Sequence, residues 1–326
     1  MQTVAERDSG VAARRAPHAA PLVAVTVGIV LLLFVAVGML GVFRYLRGYW
    51  LYRGFPPPRD PAFVTVRGTS DKIYVKSAAL GGRSQEVDVY LPPGYATDTT
   101  TRYPVFYLLH GFPGRPKGTF LWTTRLGVVE DILLAKQLTQ PVILAMPFGS
   151  TGTFTDKEWA NGVRPHEGWE TYVARDVVRA IDAHYRTIPT GAARALGGLS
   201  EGGYGALNIG LHHPGEFHVL ESWSGYELAD NLKSVFGGKR SLLRANSPLV
   251  TLRKVAPQLR RDNVYIWFYS GSDDSLRGQN AAFARELTRL HIPHQYLLIR
   301  GGHNWALWRG NSGRALLAAT SRLAHD

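Results

Sequence analysis

The 326-residue chain contains no cysteine. That excludes disulfides, thiolate zinc sites and a cysteine nucleophile, and it fits any redox compartment. Charge is also sparse: 19% of residues are charged, and there is no run of five like charges. The net charge of +12 is spread along the chain, without the basic stripes and interleaved aromatics of nucleic-acid binders. No nucleic-acid partner is therefore expected. The excess reads as a solvated surface that favours anionic lipid or polymer. At 45% hydrophobic, the chain can bury a sizeable core.

One stretch lacks charge altogether. From Leu22 to Phe43, "LVAVTVGIVLLLFVAVGMLGVF", no residue is ionisable. As a helix it is about 33 Å long at ~1.5 Å per residue, enough to cross a bilayer core. It is longer than a secretory signal core of roughly 7–15 residues, and apolar sequence continues past the small residues Ala36-Val37-Gly38, so an uncleaved anchor is expected. Residues 1–21 then form an N-terminal tail. Residues 44–61 form a juxtamembrane linker with an aromatic belt (Tyr45, Tyr49, Trp50, Tyr52) and the stiff spacer "GFPPPRDP". Arg7, Arg14 and Arg15 before the span balance Arg44, Arg47, Arg53 and Arg59 after it, which leans slightly towards a cytoplasmic C-terminus. Long domains translocate regardless of flanking charge, and an N-terminal anchor most simply exports and tethers the domain behind it. A single-pass protein of the cell membrane with its domain outside is expected.

From residue 62 onwards, strand-like and helix-like segments alternate. Strands are expected at 86–92, 103–111, 141–147, 192–196, 217–225, 263–271 and 294–302. Helices are expected at 125–138, 168–185, 201–213, 280–290 and 303–324. Residues 226–260 read as irregular and basic, a candidate cap or lid. This alternation predicts one α/β domain, residues 62–326, on a mostly parallel sheet.

Gly198-Leu199-Ser200-Glu201-Gly202 matches G-x-S-x-G between a predicted strand and a predicted helix. That pattern builds a strand–turn–helix elbow exposing its serine, and Gly198 and Gly202 are needed because backbone crowds backbone there. A serine hydroxyl needs a base and an orienting acid. "GSDDS" (271–275) offers Asp273 and Asp274 after one later strand, and "GGHNW" (301–305) offers His303 after the last. The order serine, acid, histidine at successive strand ends fits a hydrolase elbow. Oxyanion donors are expected from the backbone N–H of Glu201 and from the loop His110–Gly114, with Phe112 N–H the candidate; His110 itself reads as structural. His184 and the His212-His213 pair have no carboxylate at metal-ligand spacing, so no metal site and no cofactor are expected. Trp305 and Trp308 read as core. Glu170 reads as a helix-start residue or a structural ion pair, and "GTFLWTTR" (118–125) as acyl-pocket lining or core.

Together "YLLHGFPG", "GGLSEGGYGALNIGL", "GSDDS" and "GGHNW" resemble the "Putative esterase" family of α/β-hydrolases, which groups esterase D (S-formylglutathione hydrolase), feruloyl esterases, enterochelin esterases and mycobacterial mycolyltransferases. The resemblance spans roughly residues 80–324. It implies the α/β-hydrolase fold, a Ser200-His303-Asp274 triad with Asp274 rather than Asp273 as the acid, and an ester substrate cleaved through an acyl-enzyme. An acyltransferase moving the acyl group to a sugar or lipid hydroxyl, and a non-catalytic binding protein on the same fold, are the competing expectations. One departure stands out: relatives often carry Met or Gln after the serine, whereas this chain carries Glu201, whose carboxylate would oppose a developing oxyanion.

Overall fold

The computed structural model describes residues 19–152, 155 and 157–325. The expected N-terminal tail lies almost wholly outside the described residues. By its contacts the chain divides after Trp50, and Leu51–Asp326 forms the larger unit.

Helix α1, Ala19–Tyr52, is the one described helix long and apolar enough to cross a membrane. Its apolar stretch is exposed along its length. The helix outlasts the uncharged run by nine residues, because "RYLRGYWLY" contains no proline and a single glycine. It stops where Arg53 and Gly54 turn left-handed (φ 53° and 84°), just ahead of Pro56. Part of the expected linker is thus helical, and the proline-rich stiffening begins only after it.

The larger unit is built on eight strands: β1 Thr69–Ser77, β2 Arg83–Leu91, β3 Val105–Leu109, β4 Ile143–Pro147, β5 Arg194–Leu199, β6 Val219–Trp223, β7 Tyr265–Gly271 and β8 His294–Ile299. They form one sheet in the order β1-β2-β4-β3-β5-β6-β7-β8. Strand β2 runs antiparallel to β1 and β4, and β3 to β8 are mutually parallel. The central strands are continuous apolar runs because helices cover both faces. Val105, Tyr107 and Leu109 of β3 point to one face and Phe106 and Leu108 to the other, all fully buried.

Helix α2 is Leu126–Ala135. The segment expected as one helix at 168–185 is α3 (Trp169–Thr171), a π-helical stretch Tyr172–Val177, and α4 (Val178–His184). Helix α5, Glu201–His212, leaves the elbow. Residues 226–260, expected to be irregular, instead contain α6 (Lys233–Phe236), α7 (Arg240–Ala245) and α8 (Pro248–Arg261). In α8 the buried Leu252, Ala256 and Leu259 recur at helical spacing while Arg253, Lys254 and Arg260 stay exposed. Helices α9, Arg277–Arg289, and α10, Trp305–Thr320, complete the fold. The π-helical stretch with α4, α5, α8 and α9 packs on one face, and α2 with α10 on the other. The fold is that of an α/β-hydrolase, with every loop that carries a candidate site residue at the C-terminal end of a parallel strand.

Candidate active site

The elbow is dictated by contact distances. A Cβ on Gly198 would lie 2.4 Å from the Leu109 carbonyl oxygen, and one on Gly202 would lie 1.9 Å from that same oxygen. Only glycine fits either position. Between them Ser200 adopts φ 55°, ψ −119°, a strained conformation of the kind that costs roughly 1–3 kcal/mol and persists only where the surroundings enforce it. Part of that enforcement is the Ser200 N–H, which donates to the Trp223 carbonyl at the end of β6 (3.0 Å).

The loops after β7 and β8 are locked together. A Cβ on Gly271 would sit 2.3 Å from the Gly301 oxygen, and the Asp273 N–H donates to that oxygen (2.9 Å). This brings His303 over Asp274. The His303 Nδ1 lies 2.9 Å from Asp274 Oδ2, and its Nε2 lies 2.9 Å from Ser200 Oγ. A carboxylate only accepts, so the tautomer that satisfies both contacts has Nδ1–H donating to Asp274 and Nε2 accepting the serine hydroxyl. The Asp274 side chain is wholly buried, and its Oδ1 accepts the Leu276 N–H (2.9 Å). Asp273, one residue earlier, is exposed and accepts from Ser272 Oγ (3.1 Å). His303 meets the edge of Trp308 (5.0 Å between centroids), whose Nε1–H donates to the same Trp223 carbonyl (3.2 Å).

The loop after β3 lies against the elbow: a Cβ on Gly111 would be 2.9 Å from the Leu199 oxygen and 3.2 Å from Ser200 Cβ. Phe112, half-exposed, comes next along the chain and lines the cleft. His110 is buried, with Nε2 accepting the Gly149 N–H (3.2 Å) and Nδ1 close to the Gly111 carbonyl (3.1 Å). Burial holds its imidazole down at about 4, so it is neutral and structural. Glu201 opens α5 directly after the serine, where the helix N-terminus favours negative charge. Its carboxylate is buried and accepts the Glu158 N–H (3.0 Å), so it is engaged with the 158 backbone.

Ser200 and His303 share a cleft of about 240 Å³ with Gly111, Phe112, Trp305 and Trp308. Both tryptophans pack in the core as expected, Trp308 buried and Trp305 half-buried against the same cluster, and they also wall the cleft; α10 starts just after His303 and its first turn faces the cleft. Among the described residues lining the cleft, none belongs to 226–260. Residues 118–123 are mostly buried against the sheet and also stay outside it. Arg53 lines the cleft as well, unforeseen because it lies 147 positions before Ser200 in a segment read as membrane flank. The His212-His213 pair does have a carboxylate partner, which sequence spacing could not reveal. Glu170 Oε2 faces His212 Nδ1 and its Oε1 faces His213 Nε2, both at 3.0 Å.

Comparison with known proteins bears on family and fold. The family model described as "Putative esterase" matches residues 77–317. An esterase of Mycobacterium tuberculosis is 26% identical over 254 residues, covering 68% of this chain and 53% of that protein. The chain thus spans about half the length of the curated relatives it matches first. A diacylglycerol acyltransferase/mycolyltransferase of Mycobacterium leprae is 27% identical over 174 residues, covering 44% of this chain and 49% of that protein. The solved structure of a ferulic acid esterase superposes with a TM-score of 0.68 at 24% identity, covering 79% of this chain and all of the other, a likeness of fold. With the family match spanning most of the chain, this protein belongs to the esterase family of α/β-hydrolases.

Proposed function

We propose that the protein is a membrane-anchored serine esterase that cleaves carboxylic esters through an acyl-enzyme. The observation that carries this reading is the unbroken contact chain Ser200 Oγ–His303 Nε2 and His303 Nδ1–Asp274 Oδ2, at 2.9 Å in each link. Ser200 Oγ attacks the acyl carbon while His303 Nε2 takes its proton. Asp274, buried and fixed by Leu276, stabilises the resulting imidazolium. The Phe112 and Glu201 N–H groups hold the oxyanion, the latter at the positive end of α5. His303 then returns the proton to the leaving alcohol, and water repeats the cycle to release the acid. The apolar run 22–43 within α1 anchors the chain, with the catalytic unit outside the cytoplasmic membrane. A cleft of about 240 Å³ suits the reacting ester and a compact acyl group.

Treatment with a fluorophosphonate probe tests this. Wild type labels and hydrolyses short-chain aryl esters, whereas Ser200→Ala does neither and keeps its thermal unfolding profile. An intact, unlabelled wild type would leave the third expectation, a binding protein on a hydrolase fold. Acyl transfer is the second reading, favoured by the similarity to the mycobacterial acyltransferase. It shares every step up to the acyl-enzyme, and a sugar or lipid hydroxyl then replaces water.

A further inference from the structure

We infer that Glu227 is a positioning residue for the triad, a protonated carboxyl that pairs with the Asn280 amide and fixes the loop carrying Asp274 without setting a second negative charge beside it. The inference rests on the reading of Ser200, His303 and Asp274 as a triad and adds the support behind its acid. Glu227 follows β6 and is wholly buried, as is Asn280 in the first turn of α9. Consecutive side chains of that turn grip the loop after β6. Gln279 Oε1 accepts the Glu227 and Leu228 N–H groups (3.1 Å each), and Asn280 Nδ2 donates to the Gly225 carbonyl (2.9 Å). The same Nδ2 reaches Glu227 Oε2 (3.3 Å) and the Leu276 carbonyl (3.1 Å). Leu276 is also the residue whose N–H holds Asp274 Oδ1 (2.9 Å). A single residue therefore connects the Asn280 amide to the triad acid.

Two atoms are left over in this cluster. Glu227 Oε1 and Asn280 Oδ1 are both buried and, among the described residues, neither has a hydrogen-bond partner. While Glu227 is ionised both are acceptors, so neither can serve the other, and each carries the desolvation cost of an unmade hydrogen bond. A proton on Glu227 makes its carboxyl a donor and an acceptor together, the complement of a carboxamide. Its O–H then donates to Asn280 Oδ1 while Oε2 keeps the Nδ2 contact, and both leftover atoms are satisfied. Charge points the same way. Burial pushes the Glu227 carboxyl well up, and the charge of Asp274, itself wholly buried, adds to the push. From β8, Tyr296 faces it as well, with its hydroxyl engaged by Ser270 Oγ (2.6 Å). Neighbouring carboxylates in a dry site repel, so the one that touches the imidazole stays charged and the other holds the proton.

The test uses the full-length chain in detergent with 4-nitrophenyl acetate. Glu227→Gln supplies a neutral amide of the same shape that can make the same paired contacts with Asn280, and Glu227→Leu cannot. Glu227→Gln should keep kcat within about threefold, whereas Glu227→Leu should lower it by about tenfold or more with KM within about twofold, because Asp274 acts on the imidazole and not on the substrate. Asn280→Ala breaks the same tie from α9 and should lower kcat likewise, which keeps the kinetic arm decisive if the leucine variant does not fold. Two readouts are independent of turnover. The infrared difference between wild type and Glu227→Gln at neutral pH should show loss of a protonated-carboxyl C=O band and no carboxylate bands. The downfield proton resonance of His303 Nδ1–H, assigned by its absence in Asp274→Asn, should persist in Glu227→Gln and shift or broaden in Glu227→Leu and Asn280→Ala. Carboxylate bands in the difference spectrum, a glutamine variant as slow as the leucine one, or leucine and alanine variants with wild-type kcat and an unmoved resonance would each overturn the inference. The expected band and resonance changes in a protein that turns over no ester would instead overturn the esterase reading and leave the Glu227 tie standing.

Discussion

Ser200 is held in a conformation that a free chain avoids, with a glycine two residues away on either side and a hydrogen bond to Trp223 closing the turn. The glycines made the serine legible in the sequence, since a strand, G-x-S-x-G and a helix have one geometric meaning. His303 was legible for a related reason: it follows a glycine pair at a strand end. The choice between Asp273 and Asp274 was not legible from the residues alone, because two adjacent aspartates in a turn are chemically equivalent in sequence. Burial separates them, one side chain wholly inside and facing His303, the other in solvent. Asp274→Asn should therefore lower kcat by about 1,000-fold or more, because it reverses the imidazole tautomer. Asp273→Asn should stay within about twofold, and steady-state kinetics on one ester separate the two. Glu201 was readable only as a problem beside the oxyanion. Its engagement with the Glu158 amide depends on a loop 43 residues earlier, and no local pattern encodes that.

At the scale of elements, the central strands and α2, α5, α9 and α10 were legible because burial stamps them with unbroken apolar runs or a helical period. Strand β1 carries little such stamp. It is an edge strand whose only buried residues are Val75 and Ser77, and "TSDKIYVKS" reads as polar chain. The pairing of Glu170 with His212 and His213 ties the start of α3 to the end of α5, the helix that begins at the elbow. Burial pushes the Glu170 carboxyl up, but hydrogen bonds from His212 and His213 outweigh it and hold the group below 4.5. Burial likewise pushes His212 down, and Glu170 outweighs it, holding the imidazole above 6.5. The depressed carboxyl contributes stability present above its ordinary value and lost as pH falls through its folded one. The raised imidazole contributes stability present below 6.5 and lost as pH rises through its folded pKa. The clasp is therefore strongest between about pH 4.5 and 6.5. Glu170→Gln should cost more stability at pH 6 than at pH 8.5, read from urea midpoints at constant m.

For the molecule as a whole, the division after Trp50 falls between the proposed anchor and the unit that carries the proposed triad. Deleting residues 1–50 should release a soluble enzyme whose kcat/KM on a neutral aryl ester stays within about threefold of the full chain in detergent. Deleting residues 1–61 should instead lower kcat/KM by more than about threefold, because it removes Arg53 from the wall of the cleft, and comparing the two truncations on that ester checks this. If both truncations behave alike, the segment before residue 62 contributes nothing to the cleft.

The left-handed turn that ends α1 also decides how this enzyme can be re-engineered. An anchor joined to a proline spacer looks like a detachable leash, and a designer would graft the catalytic body onto another one at the prolines. Such a chimera would part Arg53 from the cleft it lines and break the Tyr52–Trp122 and Phe55–Arg309 contacts on either side of it. The cleft would then lose part of its wall through a splice made outside every recognisable motif, and the safe seam lies before Leu51.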